Sequence, residues 1–180
     1  MQHVARLKIG DHAIPFSLPG VNGATHALGE YSGKAAVAVI FSCNHCPYVR
    51  AWEDRIIQIQ ADYATRGVQL VAINSNDATR YPEDSFSKMK ERAREKKFNF
   101  PYLHDESQTV ARDYGAERTP EVFLFDKTGT LRYHGVIDDN YDDPAKVKMK
   151  YFQDALDALL SGTVPPTVET KPIGCSIKWK

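Results

Sequence analysis

Cys43 and Cys46 stand three residues apart, with Asn44 and His45 between them. At that spacing two thiols can close a small disulfide ring. They follow the apolar run Ala35–Phe41 and precede a segment with helical periodicity. A thiol at the start of a helix meets free N–H groups and the positive end of the helix dipole, which favour the reactive thiolate. The position of Cys43 ahead of the helix and nearer solvent predicts that it is the nucleophile. Cys46, in the first turn and nearer the core, is expected to resolve the mixed disulfide through which thiol–disulfide exchange passes. His45 is placed to stabilise the Cys43 thiolate by charge or hydrogen bonding, which would make the disulfide more oxidising. Pro47 suits the first helical position, where a missing N–H costs little. His45 and the two cysteines offer three metal ligands, but closed structural zinc sites need four and no second pair of ligands follows, so no metal is expected.

These residues must be held by a sheet and its helices. Ala35–Ser42 and Val68–Asn74 are almost continuously apolar, as strands covered on both faces are. Val49, Trp52, Ile56, Ile59 and Tyr63 recur at helical spacing, and Gly67 closes that helix. Shorter strands are expected at Ala13–Leu18, Thr25–Leu28 and Pro101–His104. Further helices are expected over Pro82–Lys97, over Ser107–Tyr114 with Ser107 as its cap, and from Val147 to Leu160. Val122–Phe125 and Thr130–Val136 flank the turn Asp126-Lys127-Thr128-Gly129 as a hairpin. Strands joined through helices run parallel and the late hairpin adds an antiparallel edge. The expectation is one α/β domain with a mixed central sheet flanked by helices, a core over about residues 14–160 and a tail over 163–180.

The 180 residues carry 23 basic and 23 acidic side chains. A nucleic-acid binder shows a basic excess, so none is expected here. No apolar stretch approaches the roughly 20 residues that span a bilayer, and no membrane partner is expected. The opening residues lack the apolar segment of a secretory signal, which points to the cytoplasm. Three cysteines are too few for a disulfide framework, and in a reducing compartment disulfides are mostly transient and catalytic. The basic stretch Lys88–Lys97 is expected to be a solvated helix face, and the acidic run Asp138–Asp143 a polar loop. Thr119-Pro120 lies between a short helix and a strand. A cis bond there would offer the Thr119 backbone to a partner chain, and an ordinary trans turn is the alternative, since about 5–6% of X-Pro bonds are cis.

Cys43-Asn44-His45-Cys46-Pro47 after a buried strand, Thr119-Pro120 before another, and Phe125–Gly129 beyond it together resemble the thioredoxin-like superfamily. Phe16–Gly23 followed by Gly33-Lys34 resembles its AhpC/TSA-type redoxin branch, which includes TlpA-like oxidoreductases. The resemblance covers about Ile14 to Leu160. It implies a cis Pro120 packed beside the cysteines, with Asn44, Pro47, Thr119 and Pro120 lining a substrate groove. It also implies dithiol–disulfide exchange without a bound cofactor, on a protein or small molecule bearing a disulfide or dithiol. This chain departs from the pattern in several places. Ser42 stands where thioredoxins carry tryptophan, and Val37 where they carry a buried aspartate. Ala36 and Ile40 stand where peroxiredoxins carry proline and threonine, which counts against peroxide reduction at Cys43. Glu53 is then a candidate proton acceptor for Cys46, with a solvated carboxylate as the alternative. Arg118 either supports a thiolate or lies on the surface. Cys175 in the tail is either a third redox thiol, able to accept a bond from Cys43, or uninvolved in turnover, with Ile177 and Trp179 as tail anchors.

The expected activity is thiol–disulfide exchange, with a potential between about −270 and −120 mV. A thiol peroxidase forming a sulfenic acid at Cys43 and a non-catalytic redox-sensing domain are the alternatives. Partner, electron donor and oligomeric state are not legible.

Overall fold

A computed structural model describes residues 6–180. Its centre is a five-stranded sheet in the order β5-β4-β3-β7-β8. The middle strand β3 (Ala36–Ser42) is buried along its whole length. It runs parallel to β4 (Val68–Asn74) and antiparallel to β7 (Glu121–Asp126). β5 (Tyr102–His104) extends the sheet beside β4, and β8 (Leu131–Gly135) closes the other edge as the returning arm of a hairpin. The alternation of β3 divides the core. Val37, Val39 and Phe41 face one layer with Tyr114, Phe123 and Phe125, whereas Ala36, Ala38 and Ile40 face the other with Trp52, Ile56 and Phe152. The small alanines let a helix approach closely on that second face. α1 (Pro47–Tyr63) supplies Trp52, Ile56, Ile59 and Tyr63 to it, the stripe expected from the sequence. α4 (Tyr151–Leu160) packs Phe152, Ala155 and Leu156 beside it. α3 (Thr109–Tyr114) lines the first face through Val110, Ala111 and Tyr114. β1 (Ser17–Pro19) and β2 (Thr25–Ala27) form the separate N-terminal hairpin. None of the described helices is long and apolar enough to cross a membrane.

Several elements differ from expectation for local reasons. The helix expected over Pro82–Lys97 is interrupted. Pro82–Asp84 form a 3-10 turn, and Ser85 in extended conformation caps α2 (Phe86–Lys96) by accepting from the Lys88 N–H. The interruption releases Asp84 from a helical direction. α3 begins at Thr109, with Gln108 rather than Ser107 at its N-cap position. The last helix begins at Tyr151 rather than Val147; Pro144–Lys146 form a 3-10 turn and residues 147–150 are irregular. The strand expected over Ala13–Leu18 shrinks to β1.

The tail is part of the molecule's packing rather than an appendage. Glu169 lies alongside His134, and Thr170 accepts from the Val136 N–H through its hydroxyl at 2.9 Å. A two-residue strand β9 (Cys175–Ser176) pairs antiparallel with β6 (Arg118–Thr119), matching Cys175 with Thr119. Ile177 is buried in the same core layer as Leu7, so the core extends beyond residues 14–160 at both ends. Trp179 remains exposed, with the Arg112 guanidinium 5.2 Å from its ring.

Candidate active site

β3 ends at Ser42, and α1 starts one residue after Cys46, which holds the N-cap position with Pro47 at the first helical residue. The junction therefore carries both thiols to the C-terminal end of the central strand. The Thr119–Pro120 peptide bond is cis and lies directly against them. The Thr119 hydroxyl is 3.5 Å from the Cys43 sulfur, and the Thr119 carbonyl accepts from the Cys46 thiol at 3.3 Å. Cys175 packs on the same cluster. All three sulfurs are free thiols.

Cys43 is 2% exposed and Cys46 0%, whereas Cys175 is partly exposed, so both thiols of the pair are buried. The tail strand is laid on Thr119 beside them. The two thiols of the pair are driven apart in acidity. Cys43 is held well above the usual thiol range by its hydrogen bond to Cys46, by burial and by the nearby Asp84 charge. Cys46 is pulled down to about 4, first by the hydrogen bond it accepts from Cys43 and also by the Cys175 thiol and the backbone N–H groups of Val49 and Cys175, against the opposing effect of burial.

Asp84 is the residue that the sequence did not reveal. It is fully buried, and its Oδ1 accepts from the Asn44 N–H at 2.7 Å and from Asn74 Nδ2 at 3.2 Å. Its Oδ2 accepts from Asn76 Nδ2 at 2.9 Å and lies 2.5 Å from His45 Nδ1. The His45 contact is close but is not aligned as a directed hydrogen bond. The ring also stacks on Tyr81 with an interplanar angle of 2°. His45 was expected to act on Cys43 directly. Instead its Nδ1 faces a carboxylate whose own charge raises the Cys43 pKa. A buried aspartate thus does stand near the pair, arriving from the turn before α2 and acting on Cys43. Its signal in the sequence was the Pro82-Glu83-Asp84-Ser85 helix start, which reads as an ordinary cap.

The remaining predicted residues fall into two groups. Asn44 is buried, and its polar atoms are all engaged. Its side chain donates to the Glu83 carbonyl and accepts from the Tyr102 hydroxyl at 2.7 Å, while its carbonyl accepts from Arg50. It clamps the cysteine loop rather than lining an open groove. Thr119 and Pro120 are also covered, and Pro47 alone of the four groove candidates is exposed. Arg118 is exposed, and its charge acts on Cys175 rather than on Cys43. Glu53 is neither solvated nor in contact with Cys46. It is 2% exposed and paired with Arg92 at 2.6 Å, so one cation of the Lys88–Lys97 stretch points inward. Asp138 of the acidic run is likewise buried, accepting from Trp52 Nε1 and Arg55.

The Cys43 thiol, His45 Nδ1 and an Asp84 oxygen lie within 4.8 Å of one another, a set that could offer ligands to a metal ion. The 2.5 Å His45–Asp84 contact is tighter than the roughly 3.3 Å between two ligands of a tetrahedral zinc ion with bonds of about 2.0 Å. Both Asp84 oxygens are moreover already used by asparagine and backbone donors. The set fits an ion pair beside a thiol better than a metal site.

This sheet, with paired thiols at the strand-to-helix junction beside a cis-proline, defines a thioredoxin-like redox protein. The AhpC/TSA family model matches residues 9–134, and the chain belongs to that family. An uncharacterised conserved protein from Geobacillus kaustophilus is 42% identical, with a TM-score of 0.91 over 96% of this chain and 93% of that one. A hypothetical protein from Sinorhizobium meliloti 1021 is 37% identical, with a TM-score of 0.90 over 98% and 97%. A Chlorobium tepidum protein whose proposed name is thiol:disulfide interchange protein DsbE is 26% identical, with a TM-score of 0.67 over 87% and 97%. No curated protein matches the chain.

Proposed function

We propose that the protein is a thiol–disulfide oxidoreductase working through Cys43 and Cys46 on a partner that bears a disulfide or dithiol. The observation that carries this reading is the pair of free thiols at the β3–α1 junction, both in contact with Thr119 of the cis Thr119–Pro120 bond. In the oxidised protein a partner thiolate attacks the Cys43 sulfur. The Cys43–Cys46 bond breaks, Cys46 leaves as a thiolate, and the partner is held in a mixed disulfide. A low leaving-group pKa speeds that step. A second partner thiol attacks its own sulfur in the mixed disulfide, releasing the partner as a disulfide and Cys43 as a thiol. In the opposite direction Cys46 attacks the Cys43 sulfur of the mixed disulfide, and its proximity makes this step effectively unimolecular. The Thr119 hydroxyl beside Cys43 can donate to a developing Cys43 thiolate. His45 and Asp84 set the field around that sulfur.

A thiol peroxidase would need a Cys43 thiolate in the reduced enzyme, and the burial and Asp84 charge that raise the Cys43 pKa work against it. The test is turnover of a protein disulfide with a dithiol donor and, in parallel, of hydrogen peroxide. The proposal expects disulfide turnover that Cys43→Ser and Cys46→Ser each abolish, with peroxide consumption far slower. Rapid peroxide consumption without disulfide turnover would replace it with the peroxidase.

A further inference from the structure

We propose that Cys175 is a third redox thiol, and that Cys46 forms its disulfide with either neighbour, passing the bond from Cys43 to the tail. The proposal rests on the dithiol chemistry above and extends it to a second outlet.

The Cys46 thiol donates to the Thr119 carbonyl at 3.3 Å, and Cys43, Cys46 and Cys175 pack as one cluster with Val49. The position of Cys175 is built rather than incidental. β9 pairs Cys175 with Thr119, the residue whose carbonyl and hydroxyl already touch Cys46 and Cys43. Gly174 makes this approach possible: a Cβ there would fall 2.1 Å from the Thr119 carbonyl oxygen. Both flanks of the strand are fastened. Upstream, Thr170 binds the Val136 N–H and lies so close to Gly135 that a Cβ there would meet its hydroxyl. Downstream, Ile177 donates to the Glu117 carbonyl and is buried, and the Lys178 N–H reaches Asn76 Oδ1 at 2.9 Å. The edge of Thr119 that the sequence suggested would receive a partner chain is therefore occupied by the protein's own cysteine-bearing strand. Of the three thiols, this is the least buried.

The chemistry balances without an added oxidant. Cys175, after releasing its proton to solvent, attacks the Cys46 sulfur of the Cys43–Cys46 disulfide. The Cys46–Cys175 bond forms, the Cys43–Cys46 bond breaks, and Cys43 leaves as a thiolate that takes up a proton. No net oxidation occurs. A partner dithiol then attacks the more accessible Cys175 sulfur with Cys46 as leaving thiolate. Its second thiol releases Cys175, so that the partner is oxidised to a disulfide and the chain is reduced. Lys178 and Arg118 favour the Cys175 thiolate, against the burial that raises its pKa to about 11.

The test is equilibration of the full chain in glutathione redox buffers, followed by acid quenching, alkylation and non-reducing peptide mapping. Cys43→Ser should lose alkylation of Cys46 and Cys175 together and yield a Cys46–Cys175 peptide. Cys43→Ala should do the same, which guards against a folding defect in one variant, and the wild type at partial oxidation should show both linkages. If Cys46 and Cys175 stay alkylatable or become only separately glutathionylated in both variants, and the wild type shows Cys43–Cys46 alone, the proposal is overturned. Cys175→Ser separates the two claims. Loss of the Cys43–Cys46 link in that variant, with Cys46–Cys175 intact in Cys43→Ser, would sink the dithiol reading and leave the tail pair standing.

Discussion

At the scale of single residues, the redox pair was legible because its chemistry is local: two thiols, a histidine and a proline within five positions. Asp84 was not, since it reaches the Asn44 N–H across 40 residues and only after Ser85 breaks the helix that the sequence suggested. Its role is measurable. A negative charge beside the pair disfavours the thiolate, hence the reduced form, and so lowers the reduction potential. Asp84→Asn should raise that potential, by about 30 mV if the interaction is worth about 1.4 kcal/mol. Equilibration with glutathione reads the shift, and an Asp84→Asn potential at or below the wild type would refute this role for Asp84. The opposed acidities make a second prediction. Ultraviolet thiolate absorbance of the reduced protein should show one thiolate titrating well below the ordinary thiol range, lost in Cys46→Ser, and the Cys43 thiol titrating above it. One ordinary thiol titration above pH 8 would contradict it.

At the scale of elements, apolar runs and helical stripes placed β3, β4 and α1 from the sequence, because burial on two faces or on one stripe leaves a periodic trace. What escaped were contacts that polar residues make across elements. Glu53 on α1 looked solvated until α2 brought Arg92 against it. Breaking a buried pair costs about 3–5 kcal/mol, so Arg92→Ala should destabilise the fold by roughly that much in urea unfolding. Burial holds the Glu53 carboxyl above its ordinary range. A carboxyl raised in the folded state binds its proton more readily there than in the unfolded chain. Its contribution is thus greatest at acid pH and fades as pH rises through the folded pKa. The Arg92→Ala deficit should therefore shrink on acidification, and a deficit that does not change with pH would contradict the assignment. The β7–β8 turn has the opposite sign. Burial raises the Asp126 carboxyl, but Thr128, Arg132 and the turn backbone together pull it down to about 2. Its stabilisation, reduced by solvent screening, is complete above about pH 5 and lost as pH falls through about 2. Asp126→Asn should remove that segment of the acid-unfolding profile, and an unchanged profile would exclude it.

At the scale of the whole molecule, the mixed sheet followed from strand order, while the integration of the tail did not. Two-residue strands such as β6 and β9 bury too little to leave a pattern, and their pairing depends on a close approach that Gly174 permits. Gly174→Ala sets a methyl group against the Thr119 carbonyl. Overpacking of this kind costs about 1–3 kcal/mol, and the strand should loosen, so that Cys175 and Cys43 are alkylated faster than in the wild type. Unchanged alkylation rates would show that the tail does not cover the pair. The dithiol itself is tested by a glutathione redox titration of the wild type with thiol trapping and peptide mapping. The account predicts one two-electron transition that joins Cys43 to Cys46 in the main oxidised form. Oxidation that leaves Cys43 and Cys46 without an internal disulfide, each capped by glutathione or carried to a sulfenic acid, would contradict it.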